Sequence, residues 1–323
     1  MSRISVLAAS AVLVTGMLAV GPQAAEASGN LFAVVDISGN LVTGNGVSSV
    51  AQLGTGRYEV TFNRSVEPCA YVATTVNAYS QALTVFTAGG HLSAQGVYVE
   101  TKNQGGGLTD GPFHLVVACN STFMGHAVVG YAGELVRSSP STTLTPLGFG
   151  RYQVRFPVSV AGCAFLANVG DPGNELVFNP SGVYTGSGPD GRTVYIETKN
   201  PGGGLQDGVP FHLAVVCPQT PGAHVVVVKA DGIPQRASAL TSSFNGGTGS
   251  YTVATNAPVS QCATVATRGS VDANVPYNPV TAELVPGPAL NTVGIQVREL
   301  LFFGGNPFNE AFHSATVCAA TIP

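Results

Sequence analysis

The sequence predicts an all-β protein made of three tandem antiparallel β-sandwich domains, immunoglobulin-like or jelly-roll-like, with one disulfide each. Three observations predict it. One set of motifs recurs three times along the chain. Each copy carries two cysteines. Apolar and polar residues alternate over short runs bounded by glycine-rich turns, with no helical period.

The recurrence is read first, because it sets the domain count. Ala33–Val42 (AVVDISGNLV) matches Ala127–Val136 (AVVGYAGELV) at a spacing of 94. The same spacing relates Gly54–Phe62 (GTGRYEVTF) to Gly148–Phe156 (GFGRYQVRF), and Cys69 to Cys163. VYVETKNQGGGLTDGPFHLVVAC, ending at Cys119, matches VYIETKNPGGGLQDGVPFHLAVVC, ending at Cys217. The third copy is more diverged. A spacing of 193 takes Gly39, Tyr58, Val60 and Cys69 to Gly232, Tyr251, Val253 and Cys262. A spacing of 199 takes Phe113-His114 and Cys119 to Phe312-His313 and Cys318. The expected organisation is a signal peptide at 1–27 and repeats at 28–121, 122–219 and 220–323. The linkers Asn120–His126 and Pro218–Val225 are short, so the domains sit close together, as a rod or around a pseudo-threefold axis.

The repeat also orders the cysteines. Six cysteines allow 15 pairings, and the one that treats all copies alike is Cys69–Cys119, Cys163–Cys217 and Cys262–Cys318. Closing a loop of about 50 residues stabilises a domain by roughly 4 kcal/mol in the chain-entropy model.

The strands follow from periodicity. In the first copy the candidates are Leu31–Ile37, Val47–Leu53, Arg57–Phe62, Cys69–Val76, Leu83–Thr87, Val97–Lys102 and Phe113–Cys119. Arg57–Phe62 is the clearest, with Tyr58, Val60 and Phe62 on one face and Arg57, Glu59 and Thr61 on the other. Period-two alternation of this kind marks a strand buried on one side. Seven or so short strands with turn signals between them indicate a sandwich.

The N-terminus has a signal-peptide pattern: Arg3, an apolar run from Ile4 to Val20, then Ala25-Glu26-Ala27 before Ser28. Export and an even cysteine count agree with each other. Charged residues make up 9% of the chain, against roughly 25% in ordinary globular proteins. The net charge is −4, and no Lys/Arg cluster provides a nucleic-acid footprint. No later run is long and apolar enough for a membrane span.

The combination of GTGRYEV, the following Cys, YVETKNxGGGL and PFHL resembles repeats in uncharacterised secreted proteins of actinobacteria. The resemblance covers nearly the whole mature chain and implies a bacterial, extracellular setting. It implies no particular activity. The third copy departs from the motif at Glu299-Leu300-Leu301-Phe302.

The candidate binding residues come from the same motifs. Val97, Val99 and Thr101 are expected to face the core, which turns Tyr98, Glu100 and Lys102 outward. His114 should also face outward from Phe113–Cys119. If those two strands pair across the glycine turn, Glu100 meets His114, and the pair recurs as Glu197/His212 and Glu299/His313. The expected patch is Tyr98, Glu100, Lys102, Asn103, Asp110 and His114, with Tyr195, Glu197, Lys199, Asn200, Asp207 and His212 in the second copy. A carboxylate–imidazole contact that merely fixes strand pairing is the competing reading. One His and one Glu per copy are too few for a zinc site, so no metal or cofactor is expected. Gly105–Gly107 and Gly202–Gly204 lack the P-loop pattern and read as turns.

Catalysis finds little support. There is no GxSxG elbow, and the carboxylate pairs Glu100/Asp110 and Glu197/Asp207 have no Asp counterpart in the third copy. The expected function is therefore a secreted, non-enzymatic protein that binds an extracellular ligand or cell surface multivalently, with polysaccharide among the candidate ligands. A structural protein of the bacterial envelope or spore surface is the alternative. An enzyme or enzyme inhibitor ranks last.

Overall fold

The computed structural model describes residues 30–76, 82–120, 125–173, 181–238, 241–271, 280–299 and 305–319. The expected signal peptide and its cleavage site lie outside these residues. The first domain contains β1 (Leu31–Val35), β2 (Leu41–Asn45), β3 (Val47–Gly54), β4 (Arg57–Phe62), β5 (Ala70–Thr75), β6 (Leu83–Gly89), β7 (Gly96–Asn103) and β8 (Phe113–Ala118). The second contains β9 (Gly125–Val129), β10 (Leu135–Ser138), β11 (Thr143–Gly148), β12 (Arg151–Arg155), β13 (Ala164–Asp171), β14 (Gly182–Ser187), β15 (Thr193–Lys199) and β16 (Phe211–Val216). The third contains β17 (Ala223–Val228), β18 (Pro234–Ala237), β19 (Ser242–Gly247), β20 (Ser250–Ala254), β21 (Cys262–Arg268), β22 (Val280–Pro286), β23 (Thr292–Glu299) and β24 (Phe312–Cys318).

Each domain is a sandwich of two antiparallel sheets. In the first, the sheets run β2-β1-β8-β5 and β3-β4-β7-β6, and the other two domains repeat this order. The first and last strands are antiparallel neighbours, and β4 lies beside β7 in the opposite sheet. Strand β2 was not foreseen, because LVTGN is short, mostly exposed and lacks clean alternation.

Alternation decides what fills each sandwich. Tyr58, Val60 and Phe62 of β4 pack against Val97, Val99, Phe113, Leu115 and Val117. A Tyr–Phe ring contact recurs in all three cores: Tyr58–Phe113 at 5.2 Å, Tyr152–Phe211 at 5.5 Å and Tyr251–Phe312 at 5.0 Å between centroids. The disulfides Cys69–Cys119, Cys163–Cys217 and Cys262–Cys318 join equivalent positions, as the repeat predicts.

A further apolar cluster belongs to no single domain. Val72 and Val116 of the first domain, Leu166 and Val216 of the second, and Val265 and Val317 of the third bury their side chains together. These residues come from the outer faces of the sheets that contain β5, β13 and β21. The three sheets therefore face one another across a pseudo-threefold axis, which settles the choice between rod and ring in favour of the ring.

Backbone pairing closes the circle. Gly170 in the second domain pairs in parallel with Thr87 of β6. Gly269 in the third pairs with Thr185 of β14, and Val76 in the first pairs with Leu284 of β22. Val76, Gly170 and Gly269 are equivalent positions at the repeat spacings. Glycine suits the two tight crossings: a Cβ on Gly170 would lie 2.5 Å from Thr87 O, and one on Gly269 would lie 2.3 Å from Thr185 O.

Candidate functional site

The recurring histidines do not face solvent-exposed carboxylates. His212 Nδ1 accepts the backbone N–H of Tyr71 at 3.0 Å. His313 Nδ1 accepts that of Phe165 at 2.9 Å, and His114 Nδ1 accepts that of Thr264 at 2.9 Å. Tyr71, Phe165 and Thr264 are equivalent positions on β5, β13 and β21, so each histidine reaches into a neighbouring domain. These three strands lie at one edge of their four-stranded sheets, where unpaired N–H groups need cover. Thr74 and Thr267 do the same work: their hydroxyls accept the N–H of Ala266 and Ala167 at 2.9 and 2.8 Å. His212 and His313 are fully buried, and His114 is partly exposed.

The expected Glu–His pairs are corrected by this geometry. Strand β8 pairs with β1 and β5, whereas β7 pairs with β4 and β6. The Gly-rich loop between them crosses from one sheet to the other, so Glu100 and His114 belong to opposite layers. The same separates Glu197 from His212. Glu299 is also out of register: Ser250 pairs with Gln296 where Arg57 pairs with Glu100. Gln296 is thus the counterpart of Glu100, Arg298 of Lys102 and Glu299 of Asn103.

The β7 residues do face away from their own core, as their parity requires, but they are not open to solvent. Tyr98, Glu100 and Lys102 are all buried. Glu100 accepts from the Tyr98 hydroxyl at 3.0 Å and pairs with Lys102 Nζ at 2.8 Å. Glu197 repeats this with Tyr195 at 2.9 Å and Lys199 at 3.0 Å. Burial, then the Glu100 carboxylate, raise the Tyr98 phenol above its ordinary value. Lys102 and Lys199 lie over the rings of Phe86 and Tyr184. These groups hold one another in place.

The remaining candidates shape the loops at one end of each domain. Asn103 Oδ1 accepts from Gly105 N and Gly107 N at 2.9 and 3.0 Å, and Asn200 Oδ1 from Gly204 N at 3.1 Å. Asp110 Oδ1 accepts from Gly56 N at 2.6 Å. Asp207 and Asn309 do the same for Gly150 and Gly249 at 2.7 and 2.6 Å. Each bond ties the β7–β8-type loop to the β3–β4-type turn. The third copy therefore retains the position as Asn309, an amide in place of the carboxylate.

Around these tied loops lie exposed apolar side chains that sequence reasoning missed. They are Ile37 and Leu53 in the first domain, Tyr131, Leu147 and Phe149 in the second, and Ile233 and Phe244 in the third. Phe149 is 61% exposed and Phe244 68%. The pseudo-threefold axis brings the three loop ends to one side of the ring. The disulfides lie at the opposite end of each sandwich.

Among the described residues no group of three or more His, Cys, Asp or Glu is placed to hold a metal. No described helix is long and apolar enough to cross a membrane. Three disulfides are consistent with an extracellular protein. Comparison with protein-family models, curated proteins and solved structures finds no match among them.

Proposed function

We propose that this is a secreted, non-enzymatic binding protein that attaches multivalently to a polysaccharide-rich extracellular surface through its three loop ends. The observation that carries the reading is the cyclic arrangement, which turns three equivalent loop clusters, each with exposed apolar side chains, toward one side. Three weak contacts made by one rigid body gain avidity without tight individual sites. The signal-like N-terminus, the disulfides and the resemblance to actinobacterial repeats support the extracellular, bacterial setting.

The test is retention of the oxidised protein, residues Ser28–Pro323, on insoluble polysaccharides and whole cell walls. Leu147→Ser with Phe149→Ser removes one tip, and adding Phe244→Ser removes a second. These side chains are exposed, so the fold should be little affected. Retention should fall stepwise with the number of tips removed. Unchanged retention would overturn the assignment of the site, and no retention of the parent would overturn the function.

The continuous three-domain core favours a second reading, a protease-resistant structural protein of the envelope or spore surface. Concentration-dependent polymerisation without saturable binding would select it.

A further inference from the structure

The three inner sheets meet on the axis but do not fill it at the loop end. A cavity of about 100 Å³ remains there. Its wall draws on equivalent positions of all three domains, with Thr74, Asn168 and Thr267 at one level and Phe86 and Tyr184 at another. It is independent of the exposed tips.

Two features distinguish it from a gap in packing. Gln104, which lines it, is 9% exposed, and neither its Oε1 nor its Nε2 has a hydrogen-bond partner. A buried carboxamide with both ends unmet is costly unless something in the cavity supplies a donor and an acceptor. The second feature is Arg268. It is buried, its guanidinium lies 4.4 Å from the centre of the Tyr184 ring, and it is the one ionised side chain among the described residues of the wall. A cation fixed in a low-dielectric wall selects for negative charge.

We infer that the axial cavity binds a small hydroxylated carboxylate, its carboxylate toward Arg268 and its hydroxyls toward Gln104. The cavity is half open, so a small ligand of this class enters with part of its carbon chain toward solvent. The apolar floor of Val85, Val169 and Val183 faces its carbon chain.

Calorimetric titration of the mature protein with threonate, erythritol and butyrate tests this. Threonate should bind saturably, one per chain. Erythritol lacks the charge and butyrate lacks the hydroxyls, so each should bind at least tenfold more weakly. Gln104→Leu replaces an unmet carboxamide with an apolar group and should preserve the fold. It should weaken threonate at least tenfold and leave butyrate unchanged. Absence of threonate binding, equal binding of erythritol, or an unaltered threonate affinity in folded Gln104→Leu would each overturn the proposal.

Discussion

A histidine that accepts a backbone N–H through Nδ1 has to be neutral. The opposite nitrogens of His212 and His313 lie 3.1 Å from the carbonyl oxygens of Asp171 and Ser270, which places the proton on Nε2. Burial enforces this state. It holds His114 down to about 4 and His313 to about 3, and His212 well below the ordinary imidazole value. An unfolded chain protonates these rings near pH 6.5, so it binds more protons than the folded protein from there down to about pH 4. Stability is therefore full above about pH 6.5 and is lost as pH falls toward 4. Glu283 works in the opposite sense: burial raises its carboxyl to about 7, so its contribution declines as pH rises from about 4.5 to 7. Five histidines are held down (His114, His126, His212, His224 and His313) against two raised carboxyls, Glu59 and Glu283, so the net effect is a loss of stability toward acid. Urea unfolding at pH 7 and pH 4.5 should show a lower midpoint at the lower pH. Equal midpoints would contradict the assignment. The sequence showed which face of β8, β16 and β24 these histidines occupy, since parity is a local property. It could not show that another domain covers that face.

At the scale of elements, alternation identified most strands, and the repeat identified the disulfides. Pairing was less legible. β7 and β8 are consecutive, yet the loop between them crosses the sandwich, and nothing in Gly105–Gly107 distinguishes a hairpin from a crossover. The third copy misled for another reason. Its insertions fall on both sides of β23, so the spacing that aligns the last strand does not align Gln296 with Glu100. What the loops share is a side-chain acceptor for a turn glycine: Asp110, Asp207 and Asn309. Because the third domain uses the amide, Asp207→Asn should cost less than 1 kcal/mol. Asp207→Ala leaves Gly150 N unmet and should cost about 1–3 kcal/mol. Thermal or denaturant unfolding checks the difference, and equal costs would mean the tie is not what holds the loop.

The whole molecule is a ring whose joints are not identical. At two of them an arginine crosses between domains. Arg137 donates to Cys69 O at 2.9 Å and lies over the Tyr71 ring, and Arg236 donates to Cys163 O at 3.2 Å and lies over the Phe165 ring. The corresponding position in the first domain is Thr43, whose hydroxyl meets Gln261 Oε1 at 3.0 Å. The first and third domains thus close the ring without that arginine and without a covalent linker. This seam tests the architecture on which the shared core, the common loop face and the axial cavity all depend. The measurement is cross-linking of a Thr43→Cys, Gln261→Cys variant, with its native disulfides intact, by a short bifunctional maleimide at dilute concentration. The ring predicts near-complete intramolecular cross-linking between residues 218 positions apart. Monomer that reacts at both cysteines but remains unbridged would contradict it, because an open row of domains holds Thr43 and Gln261 a full domain apart.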